Sequence, residues 1–336
     1  MSLKIHKPGL LTTVQDLGRH GAQKYGVIVS GAMDGFALRT ANLLVGNEEH
    51  AAGLEVTMVG PEIELEDPTL LSVCGGDLRP RLDGEPVPLW RTIYAGRGSR
   101  LAFGGMTGAG CRAYVAFAGG IDVPERMQSR STYLRAAIGG YEGRPLRAQD
   151  RVPLGRLSLR NANLLLAIEA QRSSVSGWTV AAELRPQYGG ETTVRFLPGE
   201  EYGLFDEASR ARLEREPFQV LPQSDRMGYR LTGPGLNLVR KTEMVSAAVT
   251  FGTMQVPPDG NPIVLMADRQ TSGGYPKLAQ VLSADLPLLA QANLGERVRF
   301  RRVSLAEAEQ AIIKRERALR TLRGGLEQRA ERHWKS

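Results

Sequence analysis

The sequence predicts a mainly β protein with a few helices, built as two β-rich halves and a basic helix at the C-terminal end. Three observations lead there. The 39 glycines and 19 prolines are spread through the chain instead of gathered in one tract, so turns are frequent and elements short. Short alternating or apolar stretches bounded by turn residues recur along most of the length. At 336 residues with 42% hydrophobic side chains, the chain is long enough to bury two cores.

In order, the first half opens on turns and then a helix over 34–45. Phe36, Ala37, Ala41, Leu44 and Val45 recur at helical spacing, Asp34 stands where a capping carboxylate belongs, and Gly46 ends the run. Strands are expected over 62–66, 70–74, 81–87, 99–103 and 112–118, with Asp83-Gly84 as a hairpin signal. Over 172–190 the pattern lapses into polar, turn-rich sequence, and the domain boundary is placed there, giving 1–185 and 186–303. The second half offers a strand over 193–196, a helix over 205–215 stopped by Pro217, and strands over 218–221, 244–250, 263–267 and 297–303. A mostly antiparallel barrel or curved sheet hides the edges of such strands.

Residues 304–336 form the last element. Ser304 with Glu307 is a capping box, Ala308, Ala311, Ile312 and Leu319 make one apolar stripe, and Gly324-Gly325 is expected to break the helix. Much of the net charge of +7 lies here, in Lys314, Arg315, Arg317, Arg320, Arg323, Arg329, Arg332 and Lys335. With no aromatic platform before Trp334, this reads as a solvated face and not as a nucleic-acid surface. No internal repeat of solenoid or propeller period is present.

Cys74 and Cys111 are too few for a disulfide framework and lack zinc-site spacing, which fits a reducing compartment. No apolar run has the length of a signal peptide or membrane span, so a cytoplasmic protein is expected. The scattered histidines give no helical metal pair, and no metal site is predicted. P-loop, G-x-S-x-G, H-E-x-x-H and paired C-x-x-C motifs are absent.

Polar density concentrates in three turns. The richest follows the apolar stretch Ile263, Val264, Leu265 and carries Asp268, Arg269, Gln270, Thr271, Gly273, Gly274, Tyr275 and Lys277. An acid, a guanidinium, an amide and an ammonium thus leave one strand end together, the arrangement expected of a functional loop. Arg269 suits a two-pronged grip on a carboxylate or phosphate, Lys277 supplies a point charge, the glycine amides can approach an oxyanion, and Asp268 is the candidate general base or metal ligand. A glycine turn held by an Asp268–Arg269 ion pair explains the same residues, and both readings stand. The second cluster holds Ser224, Asp225 and Arg226, and the third runs from Gln15, Asp16 and Arg19 to Ser30 and Asp34. Helix capping by Ser30 or Asp34, an Asp225–Arg226 pair and an Asp16–Arg19 turn are their structural alternatives.

Seven ordered landmarks carry a resemblance: PGLLTTVQDLGRHG from Pro8, SGAMD from Ser30, ANLLVGN from Ala41, AGGIDVP from Ala118, SDRMGYRL from Ser224, QVPPDGNPIVLMADRQTSGGYPK from Gln255, and ADLPLLAQ from Ala284. Over nearly the whole chain, the sequence resembles the C-subunit family of prokaryotic 5-oxoprolinase, also called KipA-like or allophanate hydrolase subunit 2. That family is homologous to half of the carboxyltransferase domain of urea carboxylase. The resemblance implies two cyclophilin-like β-barrel subdomains, a site shared with a KipI-like B subunit, an A subunit that completes the hydrolase, and ATP with Mg2+ as cofactor of the assembled complex. It adds Gln255 to the substrate-binding candidates. Two features depart from the pattern: Asn293-Leu294-Gly295 stands where related members carry Pro-Gly, and no lysine flanked by methionines serves as a biotin carrier. A carboxyltransferase using biotin held on another chain, and a non-catalytic partner of a KipI-like kinase inhibitor, are the alternative functions, since fold alone does not choose a reaction.

Overall fold

A computed structural model of the chain describes residues 1–170, 174–240 and 242–334, with the backbone alone for Ala170 and 330–334. Lys335 of the basic run, the side chains of Arg332 and Trp334, and the start of the turn-rich stretch at 172 lie outside the described residues. Among those described the fold is mainly β with five α-helices. Two compact units are present: one made of Met1–Arg19, Asp34–Pro186 and Glu316–Ser336, the other of His20–Met33 and Gln187–Arg315.

The first unit holds two antiparallel sheets. One orders Arg151–Pro153, Ser2–Lys7, Glu62–Leu65, Arg100–Phe103, Pro80–Leu82 and Glu85–Pro86; the other orders Leu11–Gln15, Gly53–Thr57, Arg112–Phe117, Thr69–Gly75 and Ile93–Ala95. In Ser2–Lys7 alternate residues Leu3 and Ile5 are buried, as one covered face requires. Thr69–Gly75 and Arg112–Phe117 are buried at every position, because the helix Gly35–Leu44 packs against both. A continuous apolar run is what two covered faces demand. Asp83 and Gly84 have φ of 53° and 88°, the two left-handed residues of a tight hairpin turn.

The second unit is a closed barrel of seven strands, ordered Thr192–Pro198, Lys277–Val281, Thr253–Gln255, Ile263–Leu265, Gly228–Thr232, Phe218–Val220 and Arg297–Arg302. One parallel pair, Thr192–Pro198 with Arg297–Arg302, shuts it. Phe196, Met254, Val264 and Leu278 fill it, and Phe218 meets Phe300 edge-on with ring centres 5.9 Å apart. Asp206 caps the helix Glu207–Arg215, accepting from Ser209 N at 2.6 Å.

Three expectations are corrected. Of the strand expected over 244–250 only Ala247–Ala248 forms, as a short ribbon with Ser272–Gly273. The helix Leu159–Ala170 was not foreseen, although Leu164, Ala167 and Ile168 have helical spacing and are buried. The last helix runs unbroken from Leu305 to Trp334, through Gly324 and Gly325. Two glycines cost a helix about 2 kcal/mol relative to alanine. Burial of Leu319 and Leu326 contributes about 1.5–3 kcal/mol each, which outweighs that cost. Ion pairs add to it and make the helix more than a solvated face. Arg39 donates two 2.7 Å hydrogen bonds to Glu316, Arg160 lies 3.3 Å from Glu327, and Arg323 pairs with Glu49.

A Cβ at Gly324 or Gly325 would meet nothing within 4 Å. Each glycine-to-alanine change is therefore expected to stabilise the chain by about 0.5–1 kcal/mol, read as a higher urea midpoint at unchanged slope. A lower midpoint would show that the helix needs glycine at this point.

Candidate functional site

Polar residues converge where two barrel strands end. Gly228–Thr232 pairs with Ile263–Leu265 so that Gly228 faces Leu265. The ladder continues past both ends, with Met266 N donating to Met227 O at 2.9 Å and Asp268 N to Arg226 O at 2.7 Å. That register sets Arg226 beside Asp268. Arg226 Nε donates to Oδ2 of Asp268 at 2.9 Å and Nη2 to Oδ1 at 3.0 Å, a bidentate pair with both side chains buried. Ser30 Oγ donates to the same Oδ1 at 2.8 Å, and Arg226 Nη2 also donates to Gly31 O at 2.6 Å. Ser30 holds this position with φ of 58°, a left-handed backbone unusual for serine.

Arg269 follows in the chain and is equally buried, yet it forms no ion pair among the described residues. Its guanidinium stands 5.7 Å from the centre of the Phe251 ring, and Nη1 makes one long contact, 3.4 Å, with Met266 O. Nε is buried with no hydrogen-bond partner. Burial pushes the guanidinium down to about 10, with the charge of Asp268 opposing. At neutral pH it is still a cation.

The structure therefore joins Ser30, Arg226 and Asp268 and sets Arg269 next to them. It does not form the Asp268–Arg269 or Asp225–Arg226 pair: Asp268 is taken by Arg226, while Asp225 Oδ1 accepts from Met227 N at 2.8 Å and holds the turn. Lys277 is also elsewhere engaged. Its ammonium contacts Glu200 and lies 4.0 Å from Glu201. Gly273 belongs to the ribbon opposite Ala247, and an added Cβ there would lie 2.6 Å from Gln255 Nε2. Gln255 itself donates to Tyr275 O at 3.1 Å, beneath an exposed Tyr275 ring. Gln270 is exposed, Thr271 half-buried, and Gly274 lies against Ser246. Ser224 bridges to the backbone of Arg230, and Asp34 caps the helix Gly35–Leu44 in the first unit, accepting from Ala37 N at 2.9 Å.

In the first unit, Asp16 holds its own turn, Oδ1 accepting from Gly18 N at 2.8 Å, and with Arg19 it also holds the segment around Ser131. Asp16 accepts from Ser129 Oγ at 2.8 Å and Arg130 N at 2.6 Å, and Arg19 donates to Ser131 O. Sequence reasoning missed Phe251, Glu200 and the Ser129–Ser131 segment. Only the charge of Glu200 could have flagged any of them, since the others act through backbone, ring face or hydroxyl groups.

A closed barrel unit and a two-sheet unit share one chain, with a buried Ser-Arg-Asp cluster at a barrel strand end. The chain belongs to the carboxyltransferase domain, subdomain A and B, family, whose model matches residues 25–302. Among curated proteins it is 42% identical to the C subunit of 5-oxoprolinase from Escherichia coli, over 92% of this chain and 94% of that one. It is 39% identical to the protein of the same name from Haemophilus influenzae, over 90% of this chain and 92% of that one. The crystal structure of Kluyveromyces lactis urea carboxylase matches with a TM-score of 0.86 at 27% identity, over 96% of this chain and 29% of that one. Among the described residues, no helix is long and apolar enough to cross a membrane.

Proposed function

We propose that the chain is the C subunit of an ATP-dependent 5-oxoprolinase, acting with A and B subunits to open the lactam of 5-oxoproline to glutamate. The supporting observation is Arg269, a buried cation with an unsatisfied Nε and no carboxylate partner among the described residues. Such a group fits an incoming anion, and the substrate carries a carboxylate. The names of the two bacterial relatives point to the same reaction.

A lactam carbonyl is a poor electrophile, and ATP, when bound, supplies activation by phosphoryl transfer. In this reading Arg269 receives the carboxylate or phosphate, bidentately, in a setting where burial strengthens the attraction. Asp268 acts as a positioning group. Its carboxylate accepts from Arg226 and Ser30 at once, which holds the loop that aims Arg269. Among the described residues no three His, Cys, Asp or Glu side chains gather to hold a metal, which leaves Mg2+ to arrive with the nucleotide phosphates.

A second reading rests on the family and on the urea carboxylase match: a carboxyltransferase component working on urea or a related amide, with biotin on another chain. One experiment separates the two. The chain co-expressed with its A and B homologues is expected to elute as one complex and to hydrolyse ATP only when 5-oxoproline is present. ATP turnover indifferent to 5-oxoproline, or activity that requires a biotinylated carrier and bicarbonate, would overturn the first reading.

A further inference from the structure

The first unit contains a cavity of about 290 Å³ that the reaction above does not use. Its walls are Pro124, Ala137, Gly139 and Gly143, and its two charged side chains are Arg126 and Glu142. Pockets for small ligands begin near this volume, so the space suits a molecule of about ten heavy atoms.

The backbone around it is strained in one place after another. Met127 and Gln128, next to Arg126, have φ of 53° and 60°, and Ala137 and Glu142 have 51° and 54°. Of these, Ala137 and Glu142 line the cavity themselves, and left-handed backbone at two non-glycine wall residues marks a shape that the fold maintains at a cost. The glycines are equally constrained. A Cβ on Gly143 would lie 2.1 Å from Ala137 O, and one on Gly139 would lie 2.2 Å from Ser131 O and 2.7 Å from Arg19 Nη2. The wall at Gly139 is thus bare peptide, with the buried Arg19 guanidinium directly behind it.

The two charged groups differ in how they are held. Glu142 Oε2 accepts from Arg144 Nε at 3.1 Å and Nη2 at 2.6 Å, which orients the carboxylate; among the described residues no donor meets Oε1. Arg126 is exposed and pairs with no carboxylate among the described residues. A fixed carboxylate and an available guanidinium on one small cavity are complementary to a ligand that carries both an ammonium and a carboxylate. We propose that this cavity binds a free α-amino acid, its carboxylate on Arg126 and its ammonium on Glu142 Oε1. The proposal does not depend on the oxoprolinase reading.

The test is calorimetric titration of the full chain with L-glutamate, glycine, succinate and butylamine, with melting temperature as a second readout. Glutamate and glycine are expected to bind saturably, and the dicarboxylate and the amine to bind at least about tenfold more weakly. Arg126→Gln and Glu142→Gln are each expected to weaken amino-acid binding about tenfold or more. Ala137→Leu, which fills the cavity without leaving the left-handed backbone already present, is expected to abolish it. Succinate binding as tightly as glutamate, unchanged affinity in the charge variants, or no saturation by about 10 mM amino acid would overturn the proposal.

Discussion

Asp268→Asn is expected to destabilise the chain by about 3–5 kcal/mol and to reduce turnover of the assembled complex by about 10²-fold or more. The substitution preserves size but exchanges a carboxylate oxygen for an amide that donates. In the native chain Oδ1 and Oδ2 accept from Arg226 at 3.0 and 2.9 Å, and Oδ1 accepts from Ser30 as well. An amide turned either way sets N–H against a guanidinium or loses the serine bond, and Arg226 stays buried without its counter-charge. Ser30→Ala removes one neutral donor to a charged acceptor and is expected to cost about 1.5–3 kcal/mol, less than the loss of the pair. Urea denaturation of the single chain and steady-state turnover of the complex provide the two readouts. A stable Asp268→Asn chain with lost turnover would make Asp268 a general base instead of a positioning group. A stable and active one would remove it from the site.

How much of this was legible in the sequence depended on whether a residue's partner is near in the chain. The helix Gly35–Leu44 could be read because its cap, stripe and stop all lie within about a dozen neighbouring positions, and the Asp83-Gly84 turn because both left-handed residues are adjacent. The capping box at Ser304 was legible for the same reason, and Ser304 N donates to Glu307 at 2.8 Å. Gly324-Gly325 misled because local propensity argues for a break, while the contacts that hold the helix come from Arg39, Glu49 and Arg160 far away in sequence.

The site shows the same division. Composition marked the loop at Asp268 and Arg269 as a functional candidate, and sequence adjacency suggested pairing them. The pair that forms joins residues 42 positions apart, set by a strand register that no local pattern displays. Ser30 is more distant still, 238 positions from Asp268, in a stretch that belongs to the barrel unit although it precedes most of the first unit in the chain. A reading that cuts the chain into successive pieces has no means of seeing such an excursion. Arg269 is a candidate anion binder by its chemistry, but what distinguishes it is that no carboxylate pairs with it among the described residues, a feature visible only in three dimensions.

Arg269→Lys is expected to lower kcat/KM for 5-oxoproline by about 10- to 100-fold, mainly through a higher KM, because the ammonium keeps the charge but loses the planar fork. Arg269→Met is expected to lower it at least as far and to hold or raise the melting temperature of the isolated chain. The stability argument follows from burial. Arg269 is desolvated, its Nε is unsatisfied, and among the described residues its compensation is the charge of Asp268, the Phe251 face and a 3.4 Å contact to a carbonyl. Removing a buried charge that is only partly compensated and leaving an apolar side chain of similar length relieves that cost, whereas removing a structural arginine would expose a cost of its own. Activity and stability should therefore move in opposite directions at this position and fall together at Asp268. The check is paired measurement of kcat and KM on the complex and of melting temperature on the chain, with both variants. If Arg269→Met melts several degrees lower and Arg269→Lys restores both stability and KM, the guanidinium serves the fold and the anion is received by another group.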